Sequence, residues 1–359
     1  MKKIIIVTPL FYSDASGASI YYQSLASLLV EAGYEVHVIS DKEEGESRVH
    51  YLGLFPCRCG RDKRGLLDMW LYLIQNFQYF KLREYVLRVN PDVILVHSSF
   101  YNHPGLFSLV INRLSRLLAN TKFVLDVRDR LLPFQAVESI SNYDAVIACS
   151  LNVAGHLYGM GVESGKVVHI PVIQDKYEVN SHLKQDVLGE YGLTGIKFIL
   201  YAGLIKESKG VDVLISAYKK HIENKQPVKL VLVGLLKTMN RSMLDLIDGE
   251  SVLYLGALSH SKLLCLIDSA ELIVNISPSE SLSRIALEAM VLNKPVVLPP
   301  NVPEYMEFDS GLVAAAGGVD SVGALLARQL DDRILASYPV ENHYPESIIQ
   351  GYIALFDEL

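Results

Sequence analysis

Two glutamates eight residues apart, Glu280 and Glu288, flank the start of a pattern that is typical of a helix. A Pro/Ser-rich turn comes before the first glutamate. Apolar residues around the second predict that Glu288 lies about one turn into the helix. The amides of Leu282, Ser283 and Arg284 would then lie at the helix start, where unpaired N–H groups and the helix dipole favour a phosphate.

A carboxylate on each side of a phosphate site suits a sugar nucleotide, because the hydroxyls of both its sugars can donate hydrogen bonds to carboxylates. We therefore interpret residues 277–290 as part of a pocket for a nucleotide-sugar donor. The alternative is a surface helix with Ser281 or Ser283 as its N-cap and with solvated glutamates.

A second loop carries a lysine at a position suited to a diphosphate. Residues 197–202 have the pattern of a buried strand, and a short polar loop leads from Gly203 to Lys209 and Gly210. Gly203 permits a sharp turn and a close approach of a ligand to the backbone. Because loops after parallel strands meet at one edge, we expect Lys209 near Glu280. An ordinary solvated lysine is the alternative.

Short apolar runs alternate with helical patterns along most of the chain, which predicts βαβ units and parallel sheets covered on both faces. The series begins at residue 3 and starts again at residue 197, and the polar residues before about 193 indicate a linker. The predicted fold class is α/β, with two Rossmann-like domains facing each other across a cleft.

Composition supports two domains and excludes some partners. A chain of 359 residues exceeds the usual size of one core, and half of its residues are hydrophobic. Residues 1–170 contain 17 Lys+Arg against 16 Asp+Glu, whereas the remainder contains 16 against 24. Because binding to a nucleic-acid backbone needs a basic face, this acidic second half argues against nucleic acid as a partner.

The cysteines and the N-terminus indicate a cytoplasmic protein. Cys57-x-Cys59 has no second pair or histidine cluster nearby, so we expect no zinc site and reduced thiols. The apolar run after Met1 imitates a signal peptide, but Pro9 interrupts it, and a buried strand explains it better. No run approaches the ~18 apolar residues that span a bilayer.

Residues 57–88 combine basic side chains with aromatic residues, including Trp70. Such a segment suits an anionic lipid surface or a lipid-diphosphate acceptor, and it predicts peripheral contact with the inner face of the cell membrane. A core helix with a charged outer face is the simpler interpretation of the same residues.

Several of these segments resemble the retaining glycosyltransferases of family four, which have the GT-B fold. The loop Gly203–Gly210, the pair Glu280-x7-Glu288, and residues 293–297 and 302–304 follow the order of that family's signature. Further similar segments extend the resemblance over nearly the whole chain: 28–39, 91–97 and 166–171. The resemblance is to a bacterial subgroup associated with polysaccharide and lipopolysaccharide synthesis, which has an arginine where Arg284 stands.

The resemblance implies a role for individual residues. Lys209 would contact the donor diphosphate, Glu280 would lie near the transferred sugar, and Glu288 would hold the ribose hydroxyls. The other donor-binding residues that it implies are Gly17, Gly203, Ser279, Leu282, Ser283 and Arg284. The domains that it implies are an acceptor-binding domain over 1–171, a nucleotide-sugar-binding domain over 172–342, and a C-terminal helix over 343–359 that returns to the first domain.

The acceptor side departs from the family's pattern. Many relatives have a histidine after the strand at 122–127; it is absent here, which leaves Asp129 as a candidate catalytic residue in addition to Glu280. His103 and Arg128 are candidates for the acceptor side. The alternative is that Asp129 caps its loop or pairs with Arg128 or Arg130.

The donor side departs from the pattern too. Leu204 stands where many relatives have an arginine, and Lys206 or Arg284 is the candidate for the missing charge. The loop after Glu280 reads Ser281-Leu282-Ser283, where the family often has Gly-Phe-Gly.

The resemblance implies transfer of a sugar, with retention of configuration, from a nucleoside-diphosphate sugar to a glycan or polyprenyl-diphosphate-linked acceptor. A UDP-sugar is the favoured donor, as co-substrate, and we expect no metal or other cofactor because there is no Asp-x-Asp motif. The alternatives are a non-catalytic relative that binds a nucleotide sugar or a partner protein, and a nucleotide-sugar 2-epimerase.

Overall fold

Runs of β-branched and other apolar residues form the strands of two parallel sheets, and most strand residues are buried. The computed structural model describes residues 1–8, 17–40, 50–53, 80–98, 113–128, 140–238, 241–314 and 318–359. These residues form two compact units. The first consists of residues 1–173 and 345–359, and the second of residues 174–344.

The sheet of the first unit has seven strands within the described residues. They are β1 (Lys3–Val7), β2 (Glu35–Ser40), β3 (His50–Gly53), β4 (Val93–His97), β5 (Lys122–Val127), β6 (Ala145–Ala148) and β7 (Val167–His169). Their order is β3-β2-β1-β4-β5-β6-β7, and neighbouring strands are parallel, with Ile5 beside His37 on one side and Ile94 on the other. Parallel pairing places the loop after each strand at the same edge of the sheet.

Alternate side chains of β1 enter two different cores. Ile5 and Val7 point to one face of the sheet, whereas Ile4 and Ile6 point to the other, and all four are at most 1% exposed. Helices cover both faces, as expected for a buried parallel sheet. They include α1 (Gly17–Glu31), α2 (Leu151–Gly159), and helical residues at 80–89 and 113–117.

The second unit repeats this arrangement with five strands. They are β8 (Lys197–Ala202), β9 (Val228–Val233), β10 (Val252–Tyr254), β11 (Leu272–Val274) and β12 (Val296–Val297), in the order β10-β9-β8-β11-β12. Its helices are α3 (Ser181–Glu190), α4 (Val211–His221), α5 (Arg241–Leu244), α6 (His260–Ser269), α7 (Arg284–Val291), α8 (Pro303–Asp309) and α9 (Val319–Asp332). The predicted α/β class with two parallel sheets is confirmed.

The last helix, α10 (Pro345–Glu358), is part of the first unit. Its Tyr352 and Phe356 are buried in the same core as α1, and Lys2 Nζ donates a hydrogen bond of 2.7 Å to the carbonyl oxygen of Phe356. The two ends of the second unit also meet, because the amide of Gln174 donates to the carbonyl oxygen of His343 at 2.8 Å.

The prediction of a linker up to about residue 193 was wrong in part, because α3 occupies residues 181–190. The side chain of Asn180 caps this helix by accepting hydrogen bonds from the amides of His182 and Leu183. Among the described parts of the chain, no helix combines the length and the apolar composition that crossing a membrane requires.

Candidate functional site

Lys209 and Glu280 lie together in the second unit. Lys209 ends the 3₁₀ turn Glu207–Lys209 that follows β8, and Glu280 lies in the loop that follows β11. These two strands are neighbours in the sheet, so their loops leave the same edge. The Nζ atom of Lys209 is 2.6 Å from Oε1 of Glu280 and 3.5 Å from the carbonyl oxygen of Ser279. A cation and a carboxylate therefore share one partly buried place at this edge.

Gly210 and Gly234 allow the loops at this edge to pack closely. Gly210 has φ of +74°, and a Cβ there would lie 3.2 Å from the carbonyl oxygen of Ile276, two residues after β11. Gly203 follows β8, and a Cβ at Gly234 would lie 1.8 Å from the carbonyl oxygen of Gly203. Only glycine fits such an approach. Gly203 thus lies against the loop after β9, while Gly210 brings Lys209 to the loop after β11.

Hydrogen bonds brace the loop before α7. Ser283 is the N-cap of α7, and its Oγ accepts from the amide of Ala286 at 3.3 Å. Asn275 Nδ2 donates to the same Oγ at 2.7 Å, and Asn275 Oδ1 accepts from the amide of Ser277 at 2.9 Å. The loop that carries Glu280 is therefore held at both ends by one asparagine.

The amides at the start of α7 have no partner in the described part of the protein. Within the described residues, the amides of Leu282, Ser283 and Arg284 make no hydrogen bond to another protein group. They lie at the positive end of the helix dipole, which favours an anion. The loop before this helix contains Ser279, whose carbonyl oxygen contacts Lys209. A ligand with negative charge and hydroxyl groups matches this set of donors and acceptors.

Glu288 lies in the second turn of α7 and is 4% exposed. Its Oε1 is 2.9 Å from Nε2 of His260, the first residue of α6, and 3.9 Å from Nη2 of Arg284. The ring of Tyr177 packs edge-to-face on His260, with 5.4 Å between ring centroids. Burial and the charge of Glu288 raise the pKa of Tyr177, so its hydroxyl stays protonated near this carboxylate.

His260 and Tyr177 were missed in the sequence. A signal for His260 was present, because Ser259-His260 follows a strand of the same sheet and begins a helix at the edge where the donor residues lie. Tyr177 lies in the segment that was interpreted as a linker, where no pattern pointed to it.

Leu204, at the position where the family resemblance implies an arginine in many relatives, is 39% exposed after β8. Arg284, one of the two candidates for the missing charge, is an ion-pair partner of Glu288. Lys206, the other candidate, comes directly before the turn that ends at Lys209.

In the first unit, Arg128 belongs to a buried network. Its Nε atom is 2.7 Å from Oδ1 of Asp126, and its guanidinium donates to the hydroxyls of Tyr21 and Tyr352. The guanidinium carbon also lies 3.7 Å from the centre of the Tyr21 ring. Burial lowers the pKa of the Arg128 guanidinium, but the Asp126 carboxylate and the surrounding tyrosine hydroxyls together raise it by more, so the net shift of the pKa is upward. This network joins α1, β5 and α10 through charges and hydroxyls.

The other candidates of the first unit are only partly described. Gly17 is the first residue of α1. His103 and Asp129 lie outside the described residues, as does most of the basic segment 57–88. The acceptor-side roles of these residues and of Arg128 stay predictions.

His97, at the end of β4, is a neutral structural residue. Its Nδ1 is 3.1 Å from Oγ1 of Thr8, and its ring lies 4.8 Å from that of Tyr22. Burial and the nearby charge of Arg128 lower the pKa of His97 to about 3, so the ring carries no charge near neutral pH.

Removing Asp126 should destabilise the first unit strongly. We expect Asp126→Ala to lower its free energy of unfolding by about 3–5 kcal/mol, because the variant leaves the Arg128 charge buried without its carboxylate. The double variant Asp126→Ala/Arg128→Met should recover most of this loss, since no charge then remains. Urea unfolding followed by circular dichroism measures both effects. A double variant no more stable than Asp126→Ala would show that the charge pair is not the cause.

No three His, Cys, Asp or Glu side chains in the described residues come together as a metal site requires. The two described cysteines, Cys149 and Cys265, are buried thiols.

Two family models match the two halves of the chain. The model described as Glycosyltransferase Family 4 matches residues 15–172, and the model described as Glycosyl transferases group 1 matches residues 190–344. A comparison with curated protein sequences gave no match.

Solved structures with a similar fold cover the whole chain. Sucrose-phosphate synthase from Thermosynechococcus elongatus is 18% identical, with a TM-score of 0.74 over 100% of this chain and 99% of that chain. HepE from Anabaena, solved in complex with UDP-glucose, is 14% identical, with a TM-score of 0.72 over 100% of both chains. The lipopolysaccharide outer core galactosyltransferase WaaB, in its apo form, is 13% identical, with a TM-score of 0.71 over 100% of both chains. At these identities the similarity shows a shared fold.

Proposed function

Because the chain belongs to the glycosyltransferases of the GT-B fold, we propose that it transfers a sugar from a nucleoside-diphosphate sugar to an acceptor hydroxyl. A UDP-sugar is the favoured donor, and the configuration of the anomeric carbon is retained. The complex of HepE with UDP-glucose supports the choice of base, since that protein shares the fold.

One observation carries the proposal. The loops after β8 and β11 bring Lys209 and Glu280 to 2.6 Å at the edge of the sheet where α7 begins. An ammonium group, unpaired helix amides and two carboxylates are the groups that a diphosphate flanked by two sugars requires. All of these groups belong to the second unit.

Cleavage of the donor leaves negative charge on the diphosphate. In the proposed reaction the amides of Leu282, Ser283 and Arg284 and the ammonium group of Lys209 stabilise that charge as it develops. Donors that are already oriented before the reaction contribute most, because they need no reorganisation. The hydrogen bonds of Asn275 to Ser283 and Ser277 provide such an orientation for the loop.

Glu280 would hold hydroxyls of the transferred sugar and balance positive charge at its anomeric carbon. The carboxylate lies beside Lys209 and is 18% exposed, so it is both anchored and accessible. Glu288, four residues after Arg284 on α7, would hold the ribose. Its deep burial excludes water from competing for its hydrogen bonds.

We propose a glycan or a polyprenyl-diphosphate-linked glycan as the acceptor, in the synthesis of a bacterial surface polysaccharide. The similarity to a lipopolysaccharide galactosyltransferase supports this class of acceptor. Asp129, His103 and Arg128 are the proposed acceptor-side residues. Residues 57–88 would contact the inner face of the membrane from the cytoplasm. This contact would hold the protein beside a lipid-linked acceptor.

Calorimetry and NMR test the proposal together. The protein is titrated with UDP-, GDP- and ADP-sugars, and the tightest ligand is incubated with the protein while its anomeric signals are followed. We expect the protein to bind one nucleotide sugar and to release its nucleoside diphosphate slowly. Once an acceptor is supplied, the sugar in the product should have the same anomeric configuration, α or β, as in the donor.

The outcomes separate the alternatives. Absence of binding to every nucleotide sugar would overturn the proposal. Binding without bond cleavage, with acceptors present, would favour a non-catalytic relative, as the exposed Leu204 in place of an arginine suggests. Inversion at C2 of the sugar without transfer would identify a 2-epimerase.

A further inference from the structure

His260 contacts the carboxylate that the proposed function assigns to the ribose. Its Nε2 lies 2.9 Å from Oε1 of Glu288, although the two residues are 28 positions apart and lie on different helices, α6 and α7. The side chain of Glu288 is 5% exposed, whereas that of His260 is 42% exposed. A half-exposed ring therefore contacts a buried carboxylate.

The two groups that approach Glu288 both face the same oxygen. His260 Nε2 lies at 2.9 Å and Arg284 Nη2 at 3.9 Å from Oε1, and Oε2 makes no hydrogen bond or ion pair within the described residues. A carboxylate has two oxygens that accept hydrogen bonds independently. Holding Oε1 thus fixes the plane of the carboxylate and leaves Oε2 for a ligand.

The ring of His260 is itself held in place. Tyr177 packs edge-to-face on it at 5.4 Å with an angle of 73° between the rings, and Ser259 caps the helix that His260 begins. The histidine therefore has a fixed direction from which to donate its hydrogen bond.

We propose that His260 is a positioning residue that orients Glu288 toward a ribose diol, so that the donor site selects ribonucleotides over 2′-deoxyribonucleotides. The inference rests on the proposed function, because it needs a nucleotide in the site. Without His260, the carboxylate can turn toward the guanidinium of Arg284 on its own helix. Glu288 then loses the orientation that a ribose hydroxyl requires, while the diphosphate contacts of Lys209 and the α7 amides remain.

The test compares two nucleotides that differ by one hydroxyl. UDP and 2′-deoxy-UDP are titrated by calorimetry into the full-length protein, or the corresponding GDP or ADP pair if the wild type binds that base. We expect the wild type to prefer UDP by about tenfold or more, which is typical of a hydrogen bond to a charged group. His260→Ala should lower the affinity for UDP about tenfold and leave that for 2′-deoxy-UDP nearly unchanged.

Two further variants separate positioning from a general structural effect. His260→Gln carries an amide donor close to the position of Nε2 and should restore most of the preference for UDP. His221→Ala is the matched control, because His221 Nε2 makes a similar contact of 2.7 Å to Asp320 in the same unit, at the end of α4 away from Lys209. It should keep the wild-type preference, and thermal unfolding checks that all variants fold.

An equal loss of affinity for both nucleotides in His260→Ala would overturn the inference, as would an unchanged preference for UDP. A wild type that binds UDP and 2′-deoxy-UDP equally would overturn it as well, while the proposed donor site would still stand. A wild type that binds no nucleoside diphosphate would instead overturn the proposed function itself.

Discussion

Lys209→Ala should lower the rate of sugar transfer on the order of 10²–10³-fold, the usual effect of removing one preorganised group that stabilises developing charge. Lys209 Nζ already lies 2.6 Å from Glu280 and 3.5 Å from the carbonyl oxygen of Ser279, so the ammonium group is held at the edge of the sheet before the donor arrives. The loss should appear mainly in kcat, because charge on the leaving group is greatest in the transition state. Release of UDP from the donor measures it.

Lys225→Ala provides the control for that experiment. Lys225 is an exposed lysine of the same unit, in the turn after α4, and its removal changes the net charge by the same amount. It should keep the wild-type rate. Near-normal transfer by Lys209→Ala would show that the lysine is an ordinary solvated residue, which was the alternative interpretation of its loop.

Glu280→Gln should separate binding from catalysis. The carboxylate of Glu280 forms an ion pair with Lys209, and its negative charge also repels a diphosphate. The amide of glutamine removes both effects, so the affinity for UDP should rise about fivefold, which corresponds to about 1 kcal/mol for a partly exposed pair. The rate of transfer should nevertheless fall about 100-fold or more, because the carboxylate near the transferred sugar is lost.

Calorimetry with UDP and a transfer assay measure the two opposite effects. Asp268→Asn is the matched control, since Lys184 Nζ and Asp268 form an ion pair of 2.8 Å with similar exposure, at the far end of α6 from His260. It should change neither quantity. A weaker affinity for UDP in Glu280→Gln would contradict the view that the carboxylate competes with the diphosphate for Lys209.

The parallel sheets were predictable because they depend on local patterns. Continuous apolar runs such as those at β1 and β8 are the mark of strands buried on both faces, and the loops after them carry the residues that came together. The close approach of Lys209 and Glu280, 71 positions apart, followed from the rule that loops after parallel strands meet at one edge.

Short secondary-structure elements and contacts between helices were harder to predict from the sequence. The four-residue strand β3 is too short to show an alternation of apolar and polar residues. The helix α3 lies in a polar segment and has too few apolar residues to show a helical pattern. The contact of His260 with Glu288 depends on how α6 packs against α7, which no local pattern contains.

The spacing of Asp126 and Arg128 was a signal in the sequence that was not used to predict their ion pair. The alternative interpretation of Asp129 paired it with Arg128 or Arg130, and Asp129 lies outside the described residues. Within them, Arg128 pairs with Asp126, two residues earlier. Residues two apart in an extended chain lie on the same side, so the spacing itself favoured Asp126.

The membership of α10 in the first unit has a consequence for biosynthesis. The chain is made from residue 1 onward, so every residue of the second unit has been synthesised before the first residue of α10 is added. Until then Tyr21 and Arg128 lack their partner Tyr352, and the apolar surface of α1 lacks the cover of Phe356. The half that begins first on the ribosome is therefore the half that is completed last.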